Sequence, residues 1–274
     1  MSKVLFKSFS SGSCGNCYLL AIREDDGSIG AGVLIDAGVS LKRLRSELRS
    51  EGLTTNDFDA VLVTHDHMDH IRSLSSYCKH LSKPVWGSKA LLQALSRHSI
   101  TANWISSCQK VIPEGEWIDV AKGKISVRHF TVPHDASATS GFAICLAGHF
   151  YVHITDCGKM TEEALALCSQ ADSVVLESNY DDRMLEEGPY PKELKERIRR
   201  GSGHLSNAHC AEAIKAFAHP GLRNLFLCHL SENNNTPQKA YECALEALGS
   251  IGVEKGAVNL RALPRRAPSP MIVL

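Results

Sequence analysis

The sequence predicts one α/β domain with a metal site along an edge of its sheet, and three observations lead there. Strand-like and helix-like segments alternate along the 274 residues, with no internal repeat and no long linker. Asp36, His65, His134, Asp156, Glu177 and His229 each stand at or just beyond the end of a predicted strand, as a site assembled along a sheet edge requires. The run Thr64-His65-Asp66-His67-Met68-Asp69-His70 sets four potential metal ligands within six residues.

Apolar or alternating segments predict strands at about 3–8, 17–22, 32–36, 58–64, 124–132, 142–155, 172–177 and 223–228. Amphipathic segments predict helices at about 41–50, 70–81, 88–97, 161–170, 207–218 and 237–249. Start signals support several of these. Thr161 precedes Glu162 and Glu163, Asn207 reads as an N-cap, and Thr236-Pro237 puts proline at a first helical position. Between the first two strands, Cys14-Gly15-Asn16-Cys17 reads as a tight turn near the metal face, with Ser13 and Asn16 supplying hydrogen bonds. A redox Cys-x-x-Cys belongs instead at the start of a helix after a βαβ strand. From Leu263 the chain runs Pro264-Arg265-Arg266-Ala267-Pro268-Ser269-Pro270, too proline-rich for regular structure. The expected division is a domain over 1–262 and a mobile tail over 263–274.

Composition bounds the partners. Thirty Lys+Arg balance thirty Asp+Glu, so net charge makes no case for a polyanion, although a local basic patch can still steer one. No stretch approaches the roughly 20 apolar residues of a membrane helix, and Met1 to Phe9 has no signal-peptide core. The expectation is a cytoplasmic protein whose ten cysteines are reduced. Cys145, Cys168 and Cys228, in apolar runs, are expected to pack as small buried hydrophobes.

His65 and His67 follow the apolar strand Ala60 to Val63, and residues i and i+2 of an extended segment point to one side. Both imidazoles can therefore reach one cation. Asp69 and His70 open the following helix and turn toward a neighbouring position. Four ligands are too many for one tetrahedral ion that keeps a place open for water, so two ions are the natural reading. His134, Asp156 and His229 are the further candidates, and the two oxygens of Asp156 suit it to bridge. Their plainer alternatives are hydrogen-bonded histidines at 134 and 229 and a helix cap at 156.

Leu34-Ile35-Asp36-Ala37-Gly38, the His65–His70 run, His134, Asp156-Cys157-Gly158 and His229 together resemble the five ordered motifs of the metallo-β-lactamase fold. The resemblance implies a four-layer αββα sandwich with a dinuclear site on its open edge. It implies that His65, His67 and His134 hold one ion, that Asp69, His70 and His229 hold the other, and that Asp156 bridges them. Asp36 would support the histidine loop. Two divalent ions are expected, zinc or manganese, with iron also compatible with the donors. The common β-lactamases place Cys where this chain has Asp156 and Arg where it has His70, so antibiotic hydrolysis is not expected. The diiron flavoproteins replace the second histidine of the run with Glu, against His67 here.

Two cations lower the pKa of a shared water from about 15.7 toward 7, so a metal-bridging hydroxide is the expected nucleophile. Phosphodiesters, thioesters and lactones all yield to it. Leu176-Glu177-Ser178-Asn179-Tyr180-Asp181 and Ser202-Gly203-His204-Leu205-Ser206-Asn207 resemble the tRNA 3′-processing endonucleases, in which a Glu and a Gly-His-Ser segment pair near the scissile phosphate. That likeness makes Glu177 and His204 candidate catalytic residues beside Asp69, with helix amides at 206–209 assisting phosphate binding. The plainer alternative is that His204 is a turn residue.

Over nearly its whole length the chain is most similar to the YycJ/WalJ family of bacterial nucleases. Ser10-Ser11-Gly12-Ser13-Cys14-Gly15-Asn16-Cys17, Pro133-His134-Asp135-Ala136 and Cys228-His229-Leu230-Ser231-Glu232-Asn233-Asn234 carry the likeness together with the motifs above. It implies a 5′→3′ DNA exonuclease acting on duplex ends, with a role in repair. An RNA-processing nuclease, a hydrolase of esters, lactones or cyclic nucleotides, and a non-catalytic metal-binding regulator remain the alternatives. The basic run Lys192 to Arg200 suits either a phosphate backbone or an ordinary solvated helix.

Overall fold

A computed structural model describes residues 2–274. Among these, fourteen strands form two seven-stranded sheets. The first sheet takes β1 (Lys3–Gly12), β2 (Gly15–Arg23) and β3 (Ile29–Ile35) as an antiparallel meander. Helix α1 (Leu41–Ser50) then crosses to β4 (Ala60–Leu62), α2 (Met68–Ile71) and α3 (Leu74–Leu81) to β5 (Val85–Gly87), and α4 (Lys89–Leu95) and α5 (Ala102–Ile105) to β6 (Gln109–Val111). These crossovers make β3 to β6 parallel. The second sheet repeats the plan. An antiparallel meander of β7 (Ile118–Ala121), β8 (Ile125–Thr131), β9 (Ser140–Leu146) and β10 (His149–Ile154) leads into parallel strands β11 (Ser173–Glu177), β12 (Asn224–Cys228) and β13 (Asn259–Ala262). Helix α6 (Glu162–Cys168) joins β10 to β11. Helices α7 (Asp182–Glu187), α8 (Lys192–Arg199) and α9 (Asn207–Phe217) precede β12, and α10 (Pro237–Ser250) precedes β13.

Burial divides into layers accordingly. Val4, Phe6, Tyr18, Phe142, Tyr151 and Phe226 pack between the two sheets. Leu44, Leu48, Leu74, Leu91 and Ile105 cover the outer face of the first sheet, and Cys168, Ile214, Phe217, Ala244 and Leu248 that of the second. The order helix, sheet, sheet, helix is the αββα sandwich that the sequence resemblance implies.

Several sequence expectations change. The segment 142–155 is two strands, because Ala147 and Gly148, at φ 48° and 74°, turn the chain back. The segment 70–81 is two helices broken at Arg72-Ser73. Ser206, not Asn207, caps α9, its hydroxyl accepting from the His209 amide at 3.1 Å, whereas Thr161 and Thr236 cap α6 and α10 as expected. Cys145 is exposed, on the outward face of β9, while Cys168 and Cys228 are buried. The region beyond Leu263 is not a loose tail. Its end forms β14 (Ile272–Val273), antiparallel to β1, and the Ser8 amide and Lys7 ammonium bond the hydroxyl and carbonyl of Ser269. Proline forbids a continuous ladder there but leaves the flanking residues able to dock on the β1 edge. Among the described residues no helix is long and apolar enough to cross a membrane.

Candidate metal centre

Parallel strands end in register, so the residues just past them share one edge. Asp36 follows β3, His65 follows β4, Asp156 follows β10, Glu177 ends β11, and His229 follows β12. Asp36, Asp156 and His229 take φ of 63°, 47° and 52°, a left-handed conformation unusual for residues other than glycine. That turn lifts each side chain off its strand axis toward the edge. Gly38 completes the seat of the histidine loop. A Cβ there would meet the Asp69 carbonyl and lie 2.5 Å from the Asn16 amide, so only glycine lets the β3 loop, the β1–β2 turn and α2 close on one another.

All seven expected ligands come together. Ligand atoms of His65, His67 and His134 lie within 4.8 Å of one another, as do those of Asp69, His70 and His229. Asp156 stands between the two groups. Its Oδ1 is 3.7 Å from His134 Nε2 and 3.4 Å from His229 Nδ1, and its Oδ2 is 3.1 Å from His70 Nε2. Outer partners aim the rings. His134 Nδ1 donates to the Gly203 carbonyl at 2.7 Å, and His70 Nδ1 to Asp36 at 2.7 Å, while the other Asp36 oxygen accepts the Thr64 amide at 2.8 Å. Such contacts fix tautomer and orientation in histidine metal sites. One atom tests the fit to a cation. His65 Nε2 is fully buried and has no hydrogen-bond partner, although imidazoles and a carboxylate surround it. An unmet lone pair is costly in the interior, and a divalent ion is the group that would satisfy it.

Glu177 and His204 form a pair at the same edge. Glu177 Oε1 accepts from His204 Nδ1 at 2.7 Å, and Oε2 accepts the amides of Cys157 and Leu205 at 2.8 and 3.0 Å. His204 Nδ1 is 3.7 Å from Asp156. Burial and the charge of His70 hold His65 well below the ordinary histidine range, and burial lowers His134. The neutral ring that this favours is the form in which an imidazole can bind a metal ion. Burial also disfavours charge on His204, but Glu177 and Asp156 outweigh it and raise its pKa, keeping a proton available. His229 is pushed up to about 10, because Asp156, Asp69 and Glu177 overcome its burial. The same negative field would favour a bound cation.

Asn16, expected to serve the turn, reaches further: its amide nitrogen lies 3.1 Å from Asp69 and 2.9 Å from His70. Asn179 donates to the His229 carbonyl at 2.7 Å, and Ser11 accepts the His229 amide at 3.0 Å. Asp135, Tyr190, Leu194 and Arg197 also line the cleft of about 230 Å³ over the ligands. Arg197 pairs with Asp135. Asp135 stands in the Pro133–Ala136 motif and Leu194 and Arg197 in the basic run, where nothing in the sequence distinguishes them from their neighbours, and Tyr190 stands in no such motif.

The chain is similar to known proteins in sequence and in fold. The exodeoxyribonuclease WalJ of Streptococcus pneumoniae serotype 2 (strain D39 / NCTC 7466) is 29% identical over 258 residues, 93% of either chain. The exodeoxyribonuclease YycJ of Bacillus anthracis is 30% identical over 252 residues, covering 92% of this chain and 91% of that one. The crystal structure of the metallo-beta-lactamase fold protein YhfI from Bacillus subtilis superposes with a TM-score of 0.66 at 15% identity, over 97% of this chain and 99% of that one. The family model of the beta-lactamase superfamily domain matches residues 32–230. The chain belongs to the beta-lactamase superfamily, and its fold is the metallo-β-lactamase fold.

Proposed function

We propose that the chain is a dinuclear metal-dependent phosphodiesterase that degrades DNA from 5′ ends. His65, His67 and His134 would hold one divalent ion, Asp69, His70 and His229 the second, and Asp156 would be shared. Zinc or manganese suits these mixed donors, and iron is compatible with them. Bound ions would supply a water of lowered pKa and positive charge to offset the negative charge developing on the phosphate. Asp69, held to Asn16 and His229, orients groups around that position.

The observation that carries a phosphodiester is the Glu177–His204 pair. A sugar alkoxide is a poor leaving group and needs a proton, whereas a thiolate does not. His204, drawn toward its protonated form, donates to the departing oxygen, and Glu177 fixes its ring. DNA rather than RNA is supported by the named activity of the two relatives. The test is purified protein with Mn²⁺ or Zn²⁺ on linear duplexes carrying 5′-phosphate, 5′-hydroxyl or no free ends. Shortening of the duplexes with free ends is expected, and His67→Ala should abolish it. Robust thioester or lactone turnover with DNA left intact refutes the assignment.

A further inference from the structure

Between Glu177 and His204 the chain leaves the sheet edge and builds an arm, α7 and α8, that walls one side of the cleft. Tyr180, Leu185 and Ile198 form its own small core, separate from the main layers, with Tyr190 and Leu194 packed against them. We infer that this wall is a subsite for the terminal nucleoside of the substrate strand, with Tyr190 as its stacking face and Arg197 as its phosphate contact. The inference rests on the phosphodiesterase reading above.

The remaining cleft wall is nearly all polar: Ser13, Asn179 and Ser231 accompany the imidazoles and the carboxylates of Asp69, Asp135 and Asp156. Among these only the imidazoles are flat, and they are committed to the metal set or to Glu177. Tyr190 is the one Phe, Tyr or Trp in the lining. It is half-buried, packed with Leu194, and its hydroxyl accepts from Asn233 Nδ2 at 3.0 Å. A ring held in this way loses little freedom when a base stacks on it, and stacking tolerates every base. An exonuclease that removes successive nucleotides needs that tolerance.

Charge points to the same wall. Of the carboxylates in the lining, Asp69 and Asp156 belong to the metal set, which leaves Asp135 to repel a phosphodiester, and Arg197 is the one Lys or Arg among those residues. Leu194, Arg197 and Ile198 share a face of α8, as residues three and four apart do. Elsewhere in the basic run, Lys192 pairs with Glu196, Lys195 bonds the Glu186 carbonyl and Arg199 pairs with Glu186, while Arg200 lies outside the cleft lining. Most of α8 is thus a solvated helix that aims one cation at the cleft. Arg197 is 58% exposed, so exchanging its Asp135 partner for a phosphate costs little.

The test crosses two changes: Tyr190→Ala in the protein, and a base-free tetrahydrofuran residue at the 5′ end of the duplex. With wild-type protein, loss of the terminal base should raise KM about tenfold, the scale of one base–aromatic stack. Tyr190→Ala should show that rise on the normal end and no further rise on the base-free end. Tyr190→Phe should restore the wild-type pattern, with metal content unchanged in all three proteins. Arg197→Ala should raise KM on both ends alike. If Tyr190→Ala responds to base removal as strongly as wild type, or wild type does not respond at all, the subsite is overturned while the nuclease reading stands. If wild-type protein leaves every DNA end intact, the nuclease reading falls and takes the subsite with it.

Discussion

At the scale of single residues, the site is built from backbone strain. Asp36, Asp156 and His229 all adopt left-handed φ, which costs on the order of 1–3 kcal/mol each and persists only where surroundings impose it. What imposes it is the network those side chains enter: Asp36 onto Thr64 and His70, Asp156 among His70, His134 and His229, and His229 onto Asp69 and Glu177. His204 differs, since its hydrogen bond is to Glu177, its nearest contact with the shared carboxylate of Asp156 is 3.7 Å, and its ring only flanks those of His134 and His229. His204→Ala should therefore reduce DNA cleavage by about 10²- to 10⁴-fold, the usual contribution of a positioned acid. Bound metal, measured by elemental analysis, should stay near wild type. Loss of metal in step with activity would make His204 a ligand instead.

At the scale of elements, legibility followed length and periodicity. Long strands with clear apolar patterning, such as those ending at Ile35, Glu177 and Cys228, were readable, and so were the ligands just beyond them. Strands β5, β6 and β7, of three or four residues, are too short to show a period, and pairing with their neighbours defines them. Asn16, Asn179 and Tyr190 were not legible as site residues, because their roles arise from contacts across 43 to 53 positions of chain or from a cleft wall. The arm carries a consequence for the metals. Its last turn packs so tightly that a Cβ on Gly203 would meet the carbonyls of Arg197 and Ile198, while the Gly203 carbonyl holds His134 at 2.7 Å. Gly203→Ala should displace that carbonyl and weaken metal binding about 10- to 100-fold, the range for lost outer partners of a ligating histidine. Competition against a chromogenic chelator reads this directly. Unchanged affinity would show that His134 keeps its aim without the arm.

At the scale of the whole molecule, the two sheets meet through aromatic packing that runs from the core up to the site. Phe6 of the first sheet stacks on Phe226 of the second at 4.9 Å, and Tyr18 meets the His153 ring edge-on at 4.7 Å. His153 is fully buried in this seam. Its Nδ1 lies 2.9 Å from the Tyr151 hydroxyl, and its Nε2 has no partner. Burial, followed by the charge of His70, pushes its pKa down to about 3 against an ordinary 6.5, with Asp156 opposing. The folded state therefore prefers the neutral ring, and the unfolded chain binds the extra proton. Above pH 6.5 neither state is protonated at this position and folding carries no penalty. Between pH 6.5 and about 3 the penalty grows by about 1.4 kcal/mol per unit, and below that it is constant. Among the other histidines, burial lowers His65 and His134 in the same direction, whereas carboxylates raise His70, His204 and His229, whose contribution is complete below pH 6.5 and is lost above it. The comparison that isolates His153 is His153→Gln, which keeps an acceptor for the Tyr151 hydroxyl and cannot be protonated. In chelator, with urea unfolding at pH 7 and pH 5, wild type should lose about 2 kcal/mol more than the variant over that interval. Equal losses would mean that water reaches the seam and that His153 titrates as an ordinary histidine.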